Sequence, residues 1–229
     1  MKNKGSLIFT MIMTLLVVGV IAALVITKKN GGSSDESQVA TDSSKGLQAI
    51  EKIDTKGQPQ MGKKDAKVKI IEFGDYKCPA CRYFETDIKP EIEKKYIDTG
   101  KAELYFIHSP FHGDESLFGG LAGETVLKQA PDKYWEFQKA IFELQPDNDQ
   151  EWLSMTAVRE AAKKVGIKDL DKLEKAIDNK TEETGLKKDI ELVTKHNISM
   201  TPTIIVNGKE VANPMDIKEV EAAIEKALK

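Results

Sequence analysis

The sequence of 229 residues holds two cysteines, Cys78 and Cys81, and only Pro79 and Ala80 separate them. A structural disulfide gains most when it closes a long loop, and a bridge over two residues constrains almost nothing, so this pair is read as chemical. Its flanks set the local fold. Val68 to Phe73 (VKIIEF) is a short apolar, β-branched run, which predicts a buried strand. GDYK follows as a turn, shaped by Asp75 and Tyr76. Phe84, Ile88, Ile92 and Tyr96 then recur every four residues and predict a helix face. Pro79 suits a first helical turn, where its missing N–H costs nothing. Pro90 falls inside the pattern and predicts a kink or a split, and Gly100 ends it. Cys78 therefore opens a helix, whose unpaired N–H groups and positive dipole end stabilise a thiolate. Cys81 lies about one turn deeper, which makes Cys78 the nucleophile and Cys81 the resolving thiol.

Downstream, Ala102 to His108 (AELYFIH) reads as a second strand. Apolar repeats on Leu117–Leu127, Tyr134–Leu144, Trp152–Val165, Leu170–Ile177 and Leu186–Val193 predict five helices. Thr203 to Val206 (TIIV) is a third strand, Asn207-Gly208 a two-residue hairpin signal, and Ile217 to Leu228 a terminal helix. The order is β–α–β, a helical insert, then β–β–α. It predicts an α/β domain whose first two strands are parallel and joined by a right-handed crossover.

The amino-terminal part is of another kind. Leu7 to Ile26 runs twenty residues without a charge between Lys2, Lys4 and Lys28, Lys29, long enough to cross a ~30 Å hydrocarbon core as a helix. A cleaved signal peptide is the alternative, but its only small-residue site would cut inside the run. Residues 31–60 have the composition of a flexible linker. This divides the chain into an anchor (1–30), a linker (31–60) and a domain (61–229), with the helical insert at about 114–197. After residue 30 lie 30 basic against 37 acidic residues, a net −7, which leaves no nucleic-acid footprint.

EFGDYKCPAC after a strand, with SMTPTIIVNGK after a helical insert, resembles the DsbA-like branch of the thioredoxin superfamily, in its membrane-anchored BdbD type from Gram-positive bacteria. The resemblance covers about residues 58–228. It implies a thioredoxin fold interrupted by a helical insertion and an extracytoplasmic thiol–disulfide oxidoreductase. Such an enzyme donates the Cys78–Cys81 disulfide to exported, unfolded proteins with free thiols. It places a cis proline at Thr201-Pro202, where Thr201 meets the substrate chain. It also makes Glu72, six residues before Cys78, a buried acid that relays a proton to and from Cys81. Pro79 and Ala80 form the active-site turn, without the histidine that helps hold the thiolate in the best-known members. The resemblance further implies a DsbB-like membrane quinone reductase as reoxidant, a monomer held at the cell membrane by a single N-terminal span, and a catalytic domain outside the cytoplasm.

Cys78, Cys81, His108 and His112 spell a formal zinc pattern, but 26 residues separate Cys81 from His108 and Pro110 sits between the histidines. No cofactor beyond the cysteine pair is required. Some relatives hold a structural calcium ion, which the acidic residues here permit although no EF-hand loop occurs. The functional rivals are a reductase or isomerase on the same fold and, from another class, a non-catalytic membrane-tethered binding domain.

Overall fold

A computed structural model describes residue 50, residues 52–148 and residues 150–229. The anchor segment and residues 31–49 and 51 of the linker lie outside the described residues. Among those described, no helix is long and apolar enough to cross a membrane.

Five strands form one sheet: β1 (Gln60–Gly62), β2 (Val68–Gly74), β3 (Ala102–His108), β4 (Thr203–Val206) and β5 (Lys209–Glu210), in the order β1-β3-β2-β4-β5. β2 and β3 are parallel, and the other pairs are antiparallel. The β4–β5 turn is Asn207-Gly208, both at positive φ (44° and 79°), the conformation an Asn-Gly hairpin favours. Along β2 the side chains alternate between two cores. Ile70 packs with Phe84, Ile88, Leu104 and Ile204 on the face of the crossover helix, and Ile71 and Phe73 pack with Tyr105, Leu192 and Ile205 on the other. Glu72 shares the parity of Ile70 and so faces the crossover helix.

The crossover is one helical path, α1 (Pro79–Tyr83) and α2 (Lys89–Ile92), with π turns at Phe84–Ile88 and Glu93–Ile97. The kink or split predicted at Pro90 is absent as a break. A helical proline crowds the carbonyl four residues earlier, here Thr86, and Thr86 lies within the first π turn, which widens the ladder where the bond is missing.

The insert comprises α3 (Asp114–Gln129), α4 (Tyr134–Leu144), α5 (Met155–Lys164), α6 (Leu170–Asp178) and α7 (Glu183–Lys195), and α8 (Ile217–Leu228) closes the chain. Its core joins Phe137, Ile141, Val158 and Leu173 to Tyr76, Phe106 and both cysteines. α3 approaches the site through glycines. A Cβ at Gly123 would lie 2.3 Å from His108 Nε2, and one at Gly119 would lie 3.4 Å from the Tyr76 ring.

The linker ends earlier than its composition suggests. Ile53 is buried against Ile71, Phe73 and Leu192, Ile50 N–H donates to Gly208 O, and Gln58 reaches Asp189. Gln60–Gly62 then adds a strand to the sheet that the β–α–β reading lacked. A three-residue strand carries too little alternation to be seen, and Ile53 is a single apolar residue in a polar stretch.

Candidate active site

Cys78 is the N-cap of α1, in extended conformation (φ −74°, ψ 120°), and Pro79 is the first helical residue. Its own N–H donates to Asp75 O at 3.0 Å, which tightens the turn onto the helix. Asp75 is buried and accepts from Lys77 N, Phe111 N and His112 Nδ1 (2.9, 2.9 and 2.7 Å). One carboxylate thus ties the turn to the loop after β3. His112 is engaged there, and His108 is buried in the aromatic core, with its N–H on Asp189 Oδ2 and its ring on Tyr134. Burial holds the His108 imidazole down to about 3 and hence neutral. The formal zinc pattern does not assemble.

Both cysteines are free thiols in this structure, Cys78 5% and Cys81 0% exposed. The two thiols are driven apart. Cys78 is lowered to about 6, chiefly by a hydrogen bond from Cys81, with further help from the Thr201 side chain and the N–H groups of Cys81 and Ala80, and against its burial. Cys81 is raised well above an ordinary thiol by burial and by donating to Cys78. The backbone of the Pro79-Ala80 turn and the partner thiol therefore hold the thiolate without an intervening histidine. Reduced protein is expected to titrate one thiolate with a midpoint near 6, read as ultraviolet thiolate absorbance against pH, and Cys78→Ser to remove that transition.

Thr201 and Pro202 stand opposite. Their peptide bond is cis, and the Thr201 carbonyl oxygen lies 3.3 Å from Cys78 Sγ. Glu72 is fully buried on β2, and neither carboxyl oxygen has a hydrogen-bond partner among the described residues. Its pKa is pushed up to about 8, first by burial, then by the charge of Glu85, with Lys89 pulling the other way. Glu72 in turn acts on Cys81. The structure thus gathers Glu72, Cys78, Pro79, Ala80, Cys81, Thr201 and Pro202 about one pair of sulfurs. Sequence reading did not single out Glu85 and Lys89, because an i,i+4 Glu–Lys pair on a helix usually marks a solvated face; here both are buried.

Calcium is the ion the resemblance implies. Among the described residues no three His, Cys, Asp or Glu side chains are grouped to hold a metal ion. Away from the cysteines, however, Gln58 Nε2 donates to Asp189 Oδ1, and Gln58 Oε1 and Glu124 Oε1 are buried with no hydrogen-bond partner among the described residues. Glu124 is raised to about 8 by burial and by the charge of Asp189. Two carboxylates and an amide oxygen make an all-oxygen donor set, which fits a hard cation.

Known proteins share this fold. The family model described as thioredoxin matches residues 54–226. Disulfide bond formation protein D of Bacillus subtilis is 43% identical over 174 residues, 76% of this chain and 78% of that protein. A probable disulfide bond formation protein D of Bacillus cereus is 34% identical over 222 residues, 95% and 93% of the two chains. The crystal structure of oxidised BdbD from Bacillus subtilis superposes with a TM-score of 0.76 at 41% identity, covering 79% of this chain and 97% of that one. DsbA of Chlamydia trachomatis shares the fold, with a TM-score of 0.64 at 21% identity over 74% and 90% of the chains. A redox-poised cysteine pair at a helix start, on a fold matched from residue 54 to 226, places this chain in the thioredoxin family, among the disulfide bond formation D proteins.

Proposed function

We propose that this thiol–disulfide oxidoreductase, which introduces disulfide bonds into proteins, works as a disulfide donor through Cys78. The observation that carries the reading is the asymmetry of the pair: a stabilised thiolate at Cys78 beside a buried, protonated Cys81. A substrate thiolate attacks Cys78 Sγ, the Cys78–Cys81 bond breaks, and Cys81 leaves with the electron pair and takes a proton from Glu72. The substrate's second thiolate then attacks the substrate's first sulfur in the mixed disulfide, forming the substrate S–S bond and breaking the bond to Cys78. Cys78 departs as thiolate, and the product carries a new disulfide at the expense of two electrons passed to the enzyme. A lowered Cys78 pKa stabilises the reduced enzyme and so favours this direction. Thr201, with its carbonyl beside Cys78, offers the backbone that orients an extended substrate. Met200 and Phe111, 63% and 42% exposed at the rim, suit the apolar segments of an unfolded chain.

With two cysteines in the chain, the electrons have no second internal pair to move to. A DsbB-like membrane quinone reductase is the proposed acceptor, and the apolar run at Leu7–Ile26 the span that holds a monomeric catalytic domain beside it, outside the cytoplasm. The test is stoichiometric transfer. Oxidised protein mixed with a reduced, unfolded two-thiol substrate is expected to yield one substrate disulfide per enzyme disulfide lost. A non-catalytic tethered domain would transfer none.

Gln58, Glu124 and Asp189 are proposed to hold a calcium ion, which would neutralise two buried carboxylates; the thiol chemistry does not pass through it. Calcium at about 100 times its Kd is then expected to raise Tm by about 5–10 °C. Glu124→Gln is expected to abolish the rise, read by thermal melts with calcium or chelator.

A further inference from the structure

β2 ends on Gly74, and the peptide group that joins it to Asp75 is held from both sides. Its carbonyl accepts from Ser109 N–H at 2.8 Å, and its N–H, that of Asp75, points at Cys81 Sγ at 3.4 Å. No larger residue fits at Gly74, since a Cβ there would run into the Phe106 ring. The same Cβ position lies 3.0 Å from Glu72 Oε1, so the buried acid stands beside this peptide.

Asp75 is engaged at every polar atom. Its Oδ1 accepts from Lys77 N–H, and its Oδ2 from Phe111 N–H and His112 Nδ1. Its carbonyl accepts from Cys78 N–H at 3.0 Å. The residue is 2% exposed, and a carboxylate that deep needs such donors around it. The three side-chain bonds tie it to its own turn and to the loop after β3, so neither the carboxylate nor the peptide is free to rotate. The Asp75 N–H is therefore a fixed dipole aimed at one sulfur.

That sulfur bears charge only during reaction. Burial, Cys78 and Glu72 keep the resting Cys81 thiol protonated, and the Asp75 N–H pulls the other way. When a substrate thiolate attacks, a bond forms to Cys78 Sγ, the Cys78–Cys81 bond breaks, and Cys81 takes the electron pair into a dry interior. A buried thiolate without a donor is costly, and a donor already placed where charge develops needs no reorganisation. We propose that the Asp75 N–H stabilises the departing Cys81 thiolate until Glu72 protonates it, and that the Asp75 carboxylate is the positioning group that holds this N–H in place. The inference deepens the proposed function and rests on Cys78 being the sulfur attacked.

The test compares two reactions of full-chain protein with dithiothreitol, each followed by quenched flow and thiol alkylation. In the first, dithiothreitol opens the Cys78–Cys81 disulfide, and Cys81 is the leaving group. In the second, a Cys81→Ser protein loses glutathione previously joined to Cys78, and Cys81 takes no part. Malic acid, the hydroxy-acid counterpart of aspartate, placed at position 75 by cell-free translation, replaces the N–H with an ester oxygen and keeps the carboxylate. The ester is expected to slow the first reaction about 10-fold and to change the second by less than about twofold. A role in shaping the turn alone would slow both alike. Asp75→Asn keeps one acceptor oxygen of two and loosens the peptide. It is expected to slow the first reaction about 3-fold, again sparing the second, and it decides the matter should the ester protein fail to fold. An unchanged first reaction, or equal slowing of both, overturns the inference. A wild-type disulfide that dithiothreitol does not open overturns the proposed function itself.

Discussion

Cys81→Ser is expected to stop turnover with the enzyme joined to its substrate, and Cys78→Ser to stop it with no joined species at all. The two outcomes differ because the two sulfurs differ. Cys78 carries the lowered pKa and faces Thr201 O at 3.3 Å, whereas Cys81 is wholly enclosed. With Cys81 replaced, Cys78 still attacks an incoming disulfide, but no internal thiol can expel the mixed disulfide that forms. Non-reducing gels of protein incubated with oxidised unfolded substrate read this directly, as a higher band for Cys81→Ser that reductant dissolves. The expected loss of multiple turnover is complete in both variants. Equal accumulation of the joined species in both would contradict the assignment.

The second large effect belongs to Glu72. Glu72→Gln is expected to slow closure of the mixed disulfide by roughly 100-fold, the lower end of what a positioned acid–base group contributes. The same substitution should alter stability with a defined sign. Folding raises the Glu72 pKa from 4.5 to about 8, so the folded protein binds a proton that the unfolded chain gives up between those values. Stability from this group is therefore complete below pH 4.5 and is lost as pH rises through about 8. The total is on the order of 4–5 kcal/mol at most. Glu72→Gln removes that slope, which denaturant unfolding at pH 5 and pH 9 would show as a smaller difference than in wild type. A variant slow to close yet unchanged in its pH dependence of stability would remove the burial argument for the relay.

What could be read from the sequence was whatever local pattern dictates. The strand VKIIEF, the turn, the CPAC helix start, the TIIV strand and its Asn-Gly hairpin each follow from a few adjacent residues, and together they place both sulfurs beside Thr201-Pro202. What could not be read depends on pairs brought together by folding. Gln58 and Asp189 are 131 positions apart, and Trp135 meets Lys89 only because α4 packs on the crossover helix. The Glu85–Lys89 pair was visible as letters but not as buried charge, since the sequence spacing is that of any surface ion pair. Pro90 illustrates a different limit. The rule that proline interrupts a helix is right about the lost bond, and the π turn absorbs that loss without ending the helix. β1 escaped detection because three residues hold no period.

The disulfide-donor function is tested most directly by the redox equilibrium of the Cys78–Cys81 pair in glutathione buffers, with the reduced fraction read by thiol-alkylation gel shift. It predicts a potential well above that of thioredoxin, about −180 mV or more positive, because the stabilised Cys78 thiolate favours the reduced enzyme. A potential at or below roughly −270 mV would make the protein a reductase and reverse the direction of the proposed reaction.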